Sequence, residues 1–120
     1  GCDMITLAEF YARLGGSREE VLKRIPTEKM ILKFVNMYKA DPSYGQLTAA
    51  VKVEDWQSAF RAAHALKGVA LNLGFERLQA AASTLAEALR GAKPLTDPSL
   101  LEAVTREHEE TMAALSALED

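Results

Sequence analysis

A histidine, a lysine and a glycine stand at a spacing that could carry a phosphoryl group. His64, Lys67 and Gly68 fall at i, i+3 and i+4, so on an α-helix they share one face. An imidazole nitrogen is a nucleophile, and a lysine ammonium would balance the charge of an anion held on the ring. Gly68 has no side chain to obstruct an approaching partner. The spacing therefore predicts a histidine that takes up and carries an anionic group.

The helix that contains these residues divides into an apolar side and an outward side at 100° per residue. The apolar side consists of Ala59, Ala62, Leu66, Val69, Ala70 and Leu73, with Trp56 and Ala63 at its border. The outward side consists of Gln57, Phe60, Arg61, His64, Lys67, Gly68 and Leu71. A glycine in mid-helix costs ~1 kcal/mol relative to alanine, so Gly68 requires an explanation. Clearance for a partner is one explanation, and close packing of a neighbouring helix is the other.

The outward side also has the features of a docking surface. Phe60 and Leu71 are apolar residues on an otherwise polar face, and Arg61 adds to the positive charge of the nearby lysine. Small apolar patches rimmed by charge often bind other proteins. We therefore predict that Gln57, Phe60, Arg61 and Leu71 contact a partner. The alternative is that the N-terminal part of the chain covers Phe60 and Leu71.

The elements that must position these residues are all predicted to be helices. The chain has no alternating run rich in Val, Ile and Thr and no Asn-Gly turn, which are the signals of strands and hairpins. The apolar stripe continues past Asp41-Pro42 nearly in phase, so we expect one helix there, bent near Pro42. Thr6 and Ser17 are predicted to open capping boxes, Asp55 is a predicted N-cap and Gly74 a predicted helix stop. Together with the other glycines and prolines, they predict helices over residues 7–14, 18–25, 28–52, 56–72, 76–90 and 98–118.

Four amphipathic helices joined by short loops predict an all-α fold, an antiparallel four-helix bundle. The two short N-terminal helices would lie across one end of it. We assign residues 1–27 to these short helices and residues 28–120 to the bundle, within a single domain. A length of 120 residues fits one hydrophobic core.

Composition narrows the class of protein. Hydrophobic residues make up 48% and charged residues 26%, as in ordinary globular domains. The net charge of −3 argues against a nucleic-acid-binding protein. No apolar run approaches the ~20 residues of a membrane span, and the single cysteine, Cys2, cannot form an intrachain disulfide. We expect a cytoplasmic monomer that binds neither nucleic acid nor a membrane.

The residues around His64 resemble the core pattern of histidine-containing phosphotransfer (Hpt) domains, His-x-Leu-Lys-Gly-x-x-x-x-Leu-Gly. In this chain the pattern runs from His64 to Gly74 as HALKGVALNLG. The resemblance covers roughly residues 28–118. Val69 stands where the family often has Ser or Ala, and Pro42 interrupts a helix that the family usually keeps continuous.

This resemblance implies a phosphoryl carrier that has no ATP site and is not itself an enzyme. A response-regulator receiver domain, carrying phosphoaspartate and a divalent cation, would dock over His64 and give up its phosphoryl group, which a second receiver later takes. We predict attack by Nε2, with Nδ1 hydrogen-bonded to another group. Lys67 would balance the phosphoryl charge and Gly68 would give clearance. The chain would need no cofactor or metal; its partners would be receiver domains, with a hybrid sensor kinase as a further candidate.

Other interpretations predict different behaviour. The chain could be a non-catalytic adaptor that docks a partner through Phe60 and Leu71. His108 lies in phase with the apolar stripe of the last helix, so a haem or metal bundle is conceivable, although a hydrogen-bonded histidine at the core boundary fits better. An acid–base enzyme built on the histidine and lysine lacks a third orienting residue and a pocket. The dimerisation domain of a sensor kinase commonly has an acidic residue after the histidine, where this chain has Ala65.

Overall fold

The computed structural model describes residues 4–118, and the regular secondary structure of these residues is helical. The helices are α1 Leu7–Arg13, α2 Arg18–Leu22, α3 Glu28–Met37, α4 Ser43–Lys52, α5 Trp56–Leu73, α6 Glu76–Leu89 and α7 Ser99–Ala117. A 3-10 turn, Tyr38–Ala40, extends α3. The prediction of an all-α fold is confirmed. Cys2 and the outermost residues of the predicted segments, 1–3 and 119–120, lie outside the described residues.

The four helices α4 to α7 form the bundle. α5 lies between α4 and α6, and α6 packs in turn against α7. Only Gly74 and Phe75 separate α5 from α6, so these two helices run antiparallel. The helices are held by a continuous apolar core whose fully buried members include Leu47, Leu66, Leu78, Leu85, Leu89, Val104 and Leu115. Within residues 4–118, none of the helices combines the length and the apolar character needed to cross a bilayer.

The segment predicted as one bent helix, residues 28–52, is two helices, and that prediction was wrong. α3 ends at Met37, and after the 3-10 turn Asp41 is extended, with φ −70° and ψ 130°. Pro42 is the cause, because it disfavours helical conformation at the preceding residue and has no N–H. The Asp41 carboxylate accepts a hydrogen bond from the Ser43 N–H at 2.8 Å and so begins α4. The apolar phase continues across the break because both helices face the same core.

Capping residues predicted from the sequence begin α1, α2 and α5. At α1 both bonds of a capping box form: the Glu9 N–H donates to the Thr6 hydroxyl, and the Thr6 N–H donates to the Glu9 carboxylate. At α2 Ser17 accepts from the Glu20 N–H, but the Glu20 carboxylate pairs with Lys23 instead. α2 is three residues shorter than predicted, and α7 begins one residue later than predicted.

α1 and α2 lie at the end of the bundle where α5 turns into α6. The Tyr11 hydroxyl donates a hydrogen bond of 2.7 Å to the Leu73 carbonyl, and Phe10 packs edge-on against Phe75 with ring centroids 5.8 Å apart. Gly74 is left-handed, with φ 77°, and a Cβ there would collide with the Val21 side chain. The N-terminal helices therefore help to fix the end of α5.

Candidate functional site

The helix that presents His64 is fixed at both ends. At its start the Asp55 carboxylate accepts hydrogen bonds from the Ser58 N–H at 3.1 Å and from the Ser58 hydroxyl at 2.7 Å. These bonds lower the pKa of the Asp55 carboxyl. At its end the left-handed Gly74 stops the helix. The 18 residues between form a continuous helix that gives the predicted face a single, defined orientation.

The division of α5 into two sides is observed in the structure, except that Val69, predicted on the apolar side, is only half-buried. The buried residues of the helix are Ala59, Ala62, Ala63, Leu66, Ala70 and Leu73. Among the predicted site residues, those exposed are Gln57, Arg61, His64 and Leu71. Those half-buried are Phe60, Lys67 and Gly68. The structure thus brings all seven residues to one surface, which we call the His64 face.

The surface beside the histidine ring is open at Gly68. A Cβ built at this glycine would have no neighbouring side chain or helix within 4 Å. Close packing therefore does not explain the glycine, in contrast to Gly74, where it does. A partner can approach the ring over Gly68 as far as the helix backbone.

The His64 ring is held by stacking. Its centroid lies 5.9 Å from that of Phe60, with an angle of 26° between the two planes. Among the hydrogen bonds of residues 4–118, the one made by a histidine ring belongs to His108. The partner predicted for Nδ1 of His64 is therefore not found in this part of the chain. Both ring nitrogens of His64 thus lack a protein hydrogen-bond partner among the described residues.

Sequence reasoning missed two residues that lie beside this face, Glu87 near the end of α6 and Arg90, which directly follows α6. The guanidinium carbon of Arg90 stands 5.5 Å from the Phe60 ring centroid, a cation–π distance, and Nη2 of Arg90 pairs with Oε2 of Glu87 at 2.6 Å. This hydrogen bond lowers the pKa of Glu87, and the charge of Lys67 lowers it further. Glu87 and Arg90 form an ion pair three residues apart, a pattern common on solvated helices, so the sequence alone does not mark them as part of the site. Their location beside His64 follows only from the packing of α6 against α5.

The alternative in which the N-terminal part of the chain covers Phe60 and Leu71 has a different outcome for each residue. Phe60 is covered in part by Arg90, which follows α6. Arg24, which follows α2, donates a hydrogen bond of 3.1 Å to the Leu71 carbonyl but leaves the Leu71 side chain 46% exposed. The apolar part of the His64 face is thus smaller than expected, with Leu71 as its most exposed member.

The second histidine has a different environment. His108 is half-buried on α7: its Nδ1 lies 2.7 Å from the Tyr38 hydroxyl, and its ring stacks on Tyr44 with centroids 3.8 Å apart. Burial lowers the pKa of His108, while the charge of Glu109 acts in the opposite direction. The hydrogen bond favours the interpretation of a boundary histidine over that of a haem ligand. Within residues 4–118, His, Cys, Asp and Glu side chains do not gather in groups of three or more that could hold a metal.

Comparison with known proteins gives one match. A family model described as Hpt domain matches residues 40–118, about two thirds of the 120-residue chain. The matched region contains α4 to α7 and therefore the His64 face. Comparisons with curated proteins and with solved structures give no significant match.

Proposed function

The chain belongs to the Hpt domain family, whose members carry phosphoryl groups in phosphorelays, and on this premise we propose that His64 is its phosphoryl acceptor. In this proposal His64 takes the group from the aspartate of a response-regulator receiver domain and passes it to another receiver. The main support is the exposure of His64 beside the open surface at Gly68. A nucleophile that must enter another protein's active site needs such an approach.

The proposed step exchanges one bond for another. Unprotonated Nε2 of His64 attacks the phosphorus of the aspartyl phosphate in line with the phosphorus–oxygen bond. The nitrogen–phosphorus bond forms as the phosphorus–oxygen bond breaks, and the receiver's carboxylate leaves with the electron pair. The ring proton remains on Nδ1, which is accessible to water. The receiver supplies the divalent cation that offsets the phosphoryl charge during transfer, and the reverse step loads the second receiver.

Positive charge around the ring would stabilise the phosphorylated state. Lys67 lies one turn from His64 on the same face, and Arg90 contacts the Phe60 ring that stacks on the imidazole. Arg90 and Lys67 both lower the pKa of the Glu87 carboxyl in the unphosphorylated protein. A phosphoryl group would compete with Glu87 for them, because a dianion attracts cations more strongly than a carboxylate does. Gln57, Arg61 and Leu71 surround this centre as contacts for the receiver.

The proposal is tested with a receiver domain that carries a radiolabelled phosphoryl group. The labelled receiver is mixed with the wild type, with His64→Gln and with His108→Gln, which serves as the matched control. We expect acid-labile, alkali-stable label on the wild type and on His108→Gln, and none on His64→Gln. Label on His64→Gln would contradict the assignment. Failure of a panel of receivers to label the wild type would instead support an adaptor that docks partners without accepting phosphate.

A further inference from the structure

Helix α3 has two apolar stripes, of which the bundle core uses one. The core stripe consists of Ile31, Val35 and Tyr38, which are all buried. The second stripe consists of Met30, Phe34 and Met37, at spacings of four and three residues. Met30 is 39% exposed and Met37 is 59% exposed. Apolar residues arranged at helical spacing outside the core face indicate a surface that another molecule covers.

Phe34 and Met37 of the second stripe line a groove between α3 and the C-terminal half of α5. Met30 lies on the same stripe but does not line the groove. The groove consists of two adjoining cavities of about 430 and 370 Å³. Both cavities are lined by Phe34, Met37, Val69 and Leu73. Arg24 and Asn72 line one cavity, and Asp41 lines the other. Because the shared lining is apolar, the groove is suited to apolar side chains of a protein partner.

This groove is continuous with the His64 face. Gly68 follows His64 by one helical turn, Asn72 follows Gly68 by another, and no side chain at Gly68 stands between them. The eight residues from His64 to Asn72 span about 12 Å at 1.5 Å per residue. A protein interface of ordinary size covers about 800 Å² on each partner, roughly a disc of 16 Å radius. A receiver centred on His64 therefore reaches the groove.

Much of the groove lies outside the region that the family model matches. Arg24, Phe34 and Met37 all precede residue 40, where the match begins. The residues proposed to handle the phosphoryl group all lie inside the match. Residues that perform the chemistry must serve every receiver, whereas their neighbours can favour one receiver over another. The position of the groove suits such a discriminating role.

We propose that the groove between α3 and α5 takes up apolar side chains from the receiver surface that surrounds the phosphoaspartate, and that Met37 helps to select the receiver. This inference rests on the proposed function of His64. Positive charge at Arg24 and Lys67 complements the acidic site of a receiver and favours this partner. Methionine side chains are flexible and adapt to differently shaped surfaces, so one groove can serve both a donor and an acceptor.

The test separates docking from chemistry. Met37→Glu, Met37→Lys and Met30→Glu are compared with the wild type and with Met4→Glu, whose residue is 53% exposed and does not line the groove. Transfer from the phosphorylated receiver that labels the wild type fastest is measured for KM and kcat. Phosphoramidate, a small phosphoryl donor that needs no docking, provides the reference rate at His64 for each variant. Circular dichroism verifies that each variant is folded.

We expect each substitution at Met37 to raise the KM for the phosphorylated receiver about tenfold, with kcat and the phosphoramidate rate little changed. Met30→Glu should have a smaller effect, and Met4→Glu none. Loss with Met37→Glu but not with Met37→Lys would overturn the inference, because it would show a charge effect without apolar contact. Wild-type KM in all Met variants would overturn it while leaving the role of His64 intact. A wild type that no receiver and no phosphoramidate labels would overturn both proposals.

Discussion

The two histidines of this chain stand in opposite environments on the same bundle. His64 is exposed, stacks on one aromatic ring and has no hydrogen-bond partner within residues 4–118. His108 is half-buried, and two tyrosines of the α3–α4 region hold its ring. A nucleophile needs a free nitrogen, whereas a buried polar group needs a satisfied one. The comparison shows that residue type alone does not determine the role of a histidine, whereas the residues around its ring do.

Two glycines of the His64 motif, Gly68 and Gly74, also stand in opposite environments. Gly68 has open space where a side chain would be, and Gly74 has none. At Gly74 the left-handed backbone and the nearby Val21 side chain both require glycine, so its role is structural. At Gly68 the fold offers no such reason, so the cost of a mid-helix glycine points to an external partner.

Removing each histidine should separate stability from transfer. His108→Ala would leave the buried Tyr38 hydroxyl without its hydrogen-bond partner, and we expect a loss of about 1–3 kcal/mol in the free energy of unfolding. His64→Ala should change that free energy by no more than about 0.5 kcal/mol, because the residue is exposed. Urea denaturation monitored by circular dichroism measures both values.

The double variant His108→Ala/Tyr38→Phe provides the control. If the hydrogen bond between these residues accounts for the loss, the double variant should be less destabilised than the sum of the two single variants. Strict additivity would show that the 2.7 Å contact contributes little and that the stacking on Tyr44 is the main stabilising interaction.

Gly68→Gln should affect transfer and leave the fold intact. The new side chain has open space around its Cβ, and a residue with higher helix propensity should keep or raise stability by up to ~1 kcal/mol. Transfer from a phospho-receiver should slow at least about tenfold, equivalent to ~1.4 kcal/mol, because the side chain obstructs the approach to His64. Gly68→Ala is the graded control and should slow transfer less. A transfer rate equal to that of the wild type in Gly68→Gln would contradict the clearance role.

Much of the fold follows from local sequence signals. The caps at Thr6 and Asp55 and the stop at Gly74 appear where the sequence predicts them. The break at Asp41-Pro42 was misjudged, because the apolar phase of the two helices is set by the common core and not by their continuity. Periodicity reports which face is buried, and it does not report whether the backbone is interrupted.

The candidate site likewise has one part that the sequence predicts and another that it does not. Residues of α5 were predicted to share a face, because they belong to one helix and their orientation follows from its 3.6-residue period. Arg90 and Glu87 could not be found by such reasoning, since they reach the site only through the packing of α6 on α5. The groove of α3 likewise depends on tertiary packing, although its second apolar stripe is visible in the sequence.

A dependence of stability on pH should reveal the environment of His108, and it is the smallest effect expected. Burial lowers the pKa of His108 from the ordinary value of 6.5, against the opposing charge of Glu109. Between that value and the lowered one, the unfolded chain binds more protons at this residue than the folded chain does, so stability falls as the pH falls. The contribution of His108 is therefore complete above about pH 6.5 and is lost progressively below it.

The measurement is the free energy of unfolding from urea titrations between about pH 7.5 and 5, compared between the wild type and His108→Gln. The difference between the two curves isolates His108, because the other titratable groups are the same in both proteins. In the protonated ring Nδ1 carries a proton, so the Tyr38 hydroxyl must accept the hydrogen bond between them. A difference that stays constant with pH would show that His108 is protonated equally in the folded and unfolded states, which would contradict the effect of burial on its pKa.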